Sequence, residues 1–176
     1  MNNDGVISSL DRVRQDLTTS PQIVFGLNFS ADYRGFDLSG NFQGQARAIA
    51  RPFGTFAFDV AQWGNVQKWL LEDGWSFENT DGSKPVPALS STYSFGNTTW
   101  AYWNANFVRL KNLQLGYTLP TRWTSNLGIS NLRLYASGFN IFSIDKFKEL
   151  SVDPEATDIR TLPPDRVINL GISMKF

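Results

Sequence analysis

Histidine and cysteine are both missing from the 176 residues. Without cysteine there is no disulfide, no zinc–thiolate site and no thiol nucleophile. Without histidine the commonest general base and the commonest transition-metal ligand go together. Any catalysis would have to rest on carboxylates, lysine or tyrosine. Asp153 and Glu155 stand close together around Pro154, but nothing beside them suggests a paired acid and base, and they read as loop carboxylates. No enzyme is expected. Sixteen basic side chains face 16 acidic ones, a formal net charge of zero, so the basic excess that a nucleic-acid partner requires is lacking. No apolar run approaches the roughly 20 residues of a membrane helix. Met1 to Leu10 has neither the basic nor the apolar region of a signal peptide. Strands of membrane barrels pass such tests unseen, because they are only half apolar.

What is present is alternation with a period of two. Ile23, Phe25, Leu27, Phe29, Ala31 and Tyr33 are interleaved with Val24, Gly26, Asn28, Ser30 and Asp32, which gives one apolar face and one small or polar face. After Arg34-Gly35 the pattern restarts, with Phe36, Leu38, Gly40, Phe42 and Gly44 against Asp37, Ser39, Asn41, Gln43 and Gln45, as in a hairpin with a two-residue link. Further strands are expected over 107–119, where Pro120 ends the run, over 131–142 and over 166–176. With 22–33 and 36–46 this makes an all-β chain, an antiparallel meander of about five long strands, each near the roughly 9 to 11 tilted residues of a bilayer crossing. Short links (34–35 and about 121–130) alternate with long ones (about 47–106 and 143–165), as in outer-membrane barrels with short periplasmic turns and long outer loops. Residues 1–20 then fall in an outer loop and 21–176 form the barrel segment. Val66 to Leu71 has the makings of a short helix within the first long loop. A soluble β-sandwich, such as a carbohydrate-binding module, would show the same alternation and is the alternative reading.

Some residues carry candidate chemistry. Around Gly5, the spacing of a calcium loop puts Asn2, Asp4, the carbonyl of Val6, Ser8 and Asp11 at ligand positions. Its first position would lie before Met1, so the motif is truncated, and an Asx-rich turn without an ion is the plain alternative. Trp100, Tyr102 and Trp103 are positioned either to stack on sugar rings at an outer-loop platform or to join Phe107, Phe139 and Phe142 in an interfacial belt. Tyr33, Phe36, Tyr117 and Trp123 would form the opposite belt. Arg109, Lys111 and Arg133 are expected either to face a watery lumen or to pair with carboxylates elsewhere.

Several stretches together resemble the SusC/RagA family of TonB-linked outer-membrane proteins of Bacteroidetes. They are Asn2-Asn3-Asp4-Gly5-Val6-Ile7 with Asp11-Arg12-Val13, then Pro21 to Asn28 with Gly35-Phe36-Asp37-Leu38 and Phe42-Gln43-Gly44. Phe107 to Leu113 with Leu115-Gly116-Tyr117-Thr118-Leu119-Pro120 is the most specific. Leu132 to Tyr135, Gly138 to Phe142 and Asp153-Pro154-Glu155 complete the series. Asn169, Gly171, Met174 and Phe176 also look like the signal read on a last strand by the barrel-assembly machinery. The resemblance implies the C-terminal part of a 22-stranded barrel with an internal plug, seated in outer-membrane lipid. The whole would import oligosaccharides or peptides with a SusD-like lipoprotein. It would draw energy through TonB by a part of the protein that this chain does not include. No cofactor is expected, apart from calcium in a full-length parent. A chain of this size is expected not to transport alone.

Overall fold

The computed structural model describes residues 4, 5, 8–51, 68–84, 86, 98–147, 152–156 and 161–176. Its strands are β1 (Ile23–Tyr33), β2 (Phe36–Ala46), β3 (Ile49–Ala50), β4 (Trp103–Asn104), β5 (Phe107–Thr118), β6 (Asn131–Asp145) and β7 (Val167–Lys175). The long strands form a five-stranded antiparallel sheet in the order β1-β2-β5-β6-β7, a meander with the small β3-β4 ladder set between β2 and β5 along the chain. The described helices are short: α1 (Lys68–Glu72) and α2 (Thr121–Thr124). No described helix is long and apolar enough to cross a membrane.

Tight pairing begins at the β1–β2 link. Arg34 and Gly35 both have positive φ, 48° and 88°, the mirror-image turn whose twist suits two antiparallel strands. Tyr33 therefore pairs with Phe36 and the ladder runs without a slip to Ile23 and Ala46. At the β5–β6 link, Pro120 leads into α2 and a 3-10 turn over Ser125–Leu127, which Gly128 closes with a left-handed φ of 69°.

The register gives each strand two distinct faces. Leu27, Phe42, Leu110 and Phe142 pair across one face, as do Ala31, Leu38, Leu115, Ala136 and Leu170. Many of these side chains are open, Leu27 at 59% and Leu170 at 84% of full exposure. An apolar band this extended is foreign to an ordinary soluble surface. Aromatic rings fill its gaps: Phe29 lies over Gly40 and Phe25 over Gly44, where a side chain on either glycine would collide with the ring. At the turn end Phe36 and Tyr117 stack with centroids 4.4 Å apart.

One irregularity alters the expected faces. Between Leu110 and Asn112 the register of β5 shifts against both neighbours: Lys111 is an extra residue against β2, and β6 in turn places two residues, Asn140 (φ 50°) and Ile141, opposite it. A single inserted residue reverses the parity beyond it. Val108 and Leu110 turn to the apolar face, while Phe107 and Arg109 turn to the polar one and are buried. Phe107 is thus no part of an interfacial belt. Phe139 also lies on the polar face, opposite Asn112, and of the strand residues expected in that belt Phe142 alone takes the apolar face.

A small core sits at the loop end of the sheet, where Ala48, Ala105 and Phe147 are buried and Ala50, Trp103 and Val152 pack against them. Gln45 Nε2 donates to the Ala105 carbonyl (2.8 Å) and Ala48 N to Asn106 Oδ1 (3.1 Å), tying this core to the strand ends. Among the described residues the sheet has no second sheet of comparable size on either face. The sandwich alternative requires two such sheets and is set aside.

The hairpin turn supplies a test. A Cβ on Gly35 would stand 2.8 Å from the Thr118 carbonyl oxygen and 3.3 Å from the Tyr117 ring. Gly35→Val should lose about 1–3 kcal/mol of stability to the positive φ alone, read as a lower urea midpoint in detergent micelles. Gly128→Ala, with open space around it, should lose less.

Candidate functional site

The polar face carries the candidate site. Ser30, Ser39, Gln114, Ser137 and Asn169 pair in sequence across all five long strands, making an uncharged row of hydroxyls and amides. In the next row Asn41 Nδ2 donates to Asn28 Oδ1 at 2.7 Å. A depression of about 490 Å³ is lined by Asn28, Ser30, Ser39, Asn112, Gln114 and Ser137, and also by Phe29, Leu113 and Phe139. Such groups suit the passage or docking of a hydrated neutral solute better than that of an ion.

Charge stands at the two ends of this neutral stretch. Near the tight turn, Arg133 on β6 reaches across β5 to Asp37 on β2. Its Nε donates to Asp37 Oδ1 at 2.9 Å and its Nη2 to Oδ2 in a second, shorter bond. The reach is open because Gly116, between them on β5, has no side chain; a Cβ there would collide with both charged groups. The guanidinium also lies 5.2 Å from the centre of the Tyr135 ring, which in turn covers Gly171 on β7. One side-chain network therefore spans β2, β5, β6 and β7.

Near the loop end, Arg109 is 2% exposed. Its Nη2 meets Asp153 at 2.5 Å and its Nη1 meets Glu155 at 2.6 Å. Phe107 lies beneath it, 5.3 Å from guanidinium carbon to ring centre. Lys111 adds a longer contact to Glu155 (3.8 Å), and Gln43 Nε2 donates to the same carboxylate at 3.1 Å. The carboxylates come from a tight turn in which Glu155 N donates to Asp153 Oδ1 (2.8 Å) and Ala156 N to the Asp153 carbonyl (3.0 Å). Pro154 is buried within it. Of the two expectations for Arg109, Lys111 and Arg133, the structure shows the pairing with carboxylates, and it sets all three against the polar face.

The other candidates fall elsewhere. Ser8 and Asp11 are tied to one another, Ser8 Oγ accepting from Leu10 N and Asp11 Oδ2 from Ser8 N in a capping box on the 3-10 turn Ser9–Asp11. Asp4 is described, whereas Asn2 and Val6 lie outside the described residues. Trp100 and Tyr102 are half-buried. Trp103 is drawn into the small core, its ring 6.5 Å from that of Phe147, with Lys84 Nζ 5.6 Å from its centre. Asn169 and Gly171 face the polar side of β7, Met174 the apolar side, and Phe176 is exposed.

Sequence reasoning missed a clasp over Asp73–Lys84. Trp75 N donates to the Lys84 carbonyl (2.9 Å), Lys84 N to the Asp73 carbonyl (3.0 Å) and Asn79 Nδ2 to the Gly74 carbonyl (3.1 Å). Its turn formers, Asn79 and Asp81-Gly82, were the available signal. The Ser83 hydroxyl and the Ser83 N–H both donate to the Asp73 carboxylate and, with Lys84 nearby, hold it below the ordinary carboxylate range.

The class of protein follows from this arrangement: long antiparallel strands, apolar on one face and polar on the other, with the tight turn at one end and the small core at the other. It is the construction of a membrane β-barrel wall. Within that class the chain is SusC/RagA-like. It is 27% identical over 192 residues to TonB-dependent receptor P3 of Formosa agariphila, covering 100% of this chain and 18% of that protein. It is 27% identical over 180 residues to TonB-dependent receptor SusC of Bacteroides thetaiotaomicron, covering 99% and 17%. Among solved structures, the RagAB peptide importer in its open-open state matches with a TM-score of 0.73 and 26% identity, over 97% of this chain and 19% of that one. The chain thus spans about a fifth of the length of the relatives it matches. No family model matches it.

Two outcomes are expected. Gly116→Val should displace the Arg133–Asp37 pair and cost about 1–3 kcal/mol, while Gly26→Ala, whose Cβ would make only an ordinary 3.7 Å contact with the Phe42 carbonyl, should cost less; urea midpoints in micelles compare them. For Asp73 the folded-state value is depressed, so its contribution is full above the unfolded carboxylate value and is lost as pH falls through the folded one. The clasp should hold at neutral pH and loosen only in acid below the ordinary carboxylate range. Trp75 fluorescence against pH reads this, and Asp73→Asn should abolish the transition.

Proposed function

We propose that this chain forms part of the wall of a TonB-dependent outer-membrane transporter that imports oligosaccharides or peptides together with a SusD-like lipoprotein. The observation that carries the reading is the division of one continuous sheet into an apolar band and a neutral polar face, on strands of membrane-crossing length. Likeness to SusC and to the RagAB peptide importer supports the transport class. In this reading the apolar band meets lipid and the polar row lines the lumen. β1 and β7 each have one edge without a strand partner among the described residues. Lipid does not tolerate an open edge, so the function requires further strands that close the barrel.

The other assignments rest on the sequence motifs. Asn169, Gly171, Met174 and Phe176 would serve as the recognition signal for the barrel-assembly machinery. Trp100 and Tyr102 would offer ring faces to solute at the outer mouth. Asn2, Asp4, Val6, Ser8 and Asp11 would complete a calcium loop with a ligand from a preceding segment. The experiment is an in-frame deletion in the host, followed by fractionation and growth on single carbon sources. The expected result is a protein in the outer-membrane fraction whose loss abolishes growth on one class of oligosaccharide or peptide and leaves growth on monosaccharides and amino acids intact. A soluble protein, or unchanged growth on every oligomer, would overturn it.

A further inference from the structure

The turn Val152–Ala156 belongs to the connection between β6 and β7, a connection that on the simplest plan would stand clear of the sheet. It does not. Gln43 and Arg109 both point from the polar face by their register, and both touch the carboxylates of this turn. The turn therefore lies over the polar face, inward from the loop end of the strands. It is held at independent points: Val152 packs on the core of Ala48, Ala105 and Phe147, Pro154 is buried, and Asp153 and Glu155 grip one nearly buried guanidinium from two sides. A buried arginine that loses its partners is strongly destabilising, so the wall and the turn are bound to stay together.

We propose that Val152–Ala156 is a fixed inward strap that narrows the mouth of the lumen, with Arg109 as a double latch. The inference rests on the transporter reading, since without a lumen the strap has nothing to narrow. Asp153 and Glu155 pair with Arg109 and Lys111, and Asp145, on the same face opposite Phe107, accepts from Ser143 and Phe147 N. The strap therefore brings no free cation to the narrowing, which selects by size and hydrogen bonding and disfavours anions.

The test uses the native protein in outer-membrane vesicles. This chain contains no cysteine, and each single-cysteine variant controls for thiols elsewhere in the protein. Gln43→Cys with Glu155→Cys, where two long side chains meet end to end and a direct disulfide would be too short, should be joined by a short bis-methanethiosulfonate cross-linker, seen as a mobility shift reversed by reductant. Ser39→Cys with Glu155→Cys, roughly 13 Å further along the strand, should not. No cross-link in the first pair, or equal cross-linking in both, would overturn the strap's position. Its narrowing role is read with Arg109→Met, Asp153→Asn and Glu155→Gln combined, a swap that removes the latch without leaving a buried charge unpaired. This variant should raise several-fold the rate of growth on the longest oligosaccharides or peptides that the native protein imports, while still reaching the outer membrane. An unchanged rate, with the strap's position confirmed, would overturn the narrowing. Failure of the transporter reading is separately visible, as growth on oligomers that survives deletion of the protein while the cross-link still forms.

Discussion

A strand that divides an apolar medium from a watery one must keep its parity, because a slip of one residue sends every side chain to the wrong side. In this sheet the constraint is met from the tight turn outward. Arg34 and Gly35 fix the pairing of Tyr33 with Phe36, and Phe36 in turn meets Tyr117, which meets Leu134. Each registered pair sets the next, and the apolar and polar faces stay separate across all five strands. The bulge at Lys111 breaks parity once, near the loop end, and the structure uses the break. It turns Phe107 and Arg109 onto the polar face, where the ring lies under the guanidinium and the inward turn pairs with the guanidinium. A regular β5 would have pointed Arg109 toward the apolar band.

Glycine does a second kind of work in this sheet. Gly40 and Gly44 each lie under a phenylalanine ring from β1, Gly116 leaves the gap through which Arg133 reaches Asp37, and Gly171 takes the face of Tyr135. In each case a long side chain on one strand occupies the room that a short one leaves on its neighbour. Such cross-strand contacts add to the backbone ladder and resist sliding, because a shifted strand would bring a Cβ into the ring or the ion pair.

This explains what could and could not be read along the chain. The β1–β2 hairpin was legible because its alternation is unbroken and its link is short. The five-stranded meander was legible for the same reason, in segments of membrane length. Parity beyond Lys111 was not, since Phe107, Val108 and Leu110 are apolar on both sides of the strand and mark no face. The pairing of Arg109 with Asp153 and Glu155 spans 44 and 46 positions, and that of Arg133 with Asp37 spans 96. No local spacing signals such contacts, so the basic residues could be placed near a polar face but not given partners. Trp103 illustrates the reverse error. An aromatic cluster at a strand end suggests a platform or a belt, yet this ring is drawn into a small core by Phe147, whose position depends on a different connection.

The neutral middle of the polar face gains its meaning from the paired ends. Unpaired arginines along a lumen would create a field that concentrates anions and repels cations, whatever the hydroxyls between them offered. Here Asp37 pairs with Arg133 at one end, and Asp153 and Glu155 pair with Arg109 and Lys111 at the other, so each of these cations is held by a carboxylate. On the proposed transporter reading, a solute between them would meet Ser30, Ser39, Gln114, Ser137 and Asn169, groups that exchange hydrogen bonds with water at little net cost. A surface of this kind holds a neutral polar oligomer weakly at many points and strongly at none. That is the condition for moving a solute along a wall rather than capturing it there.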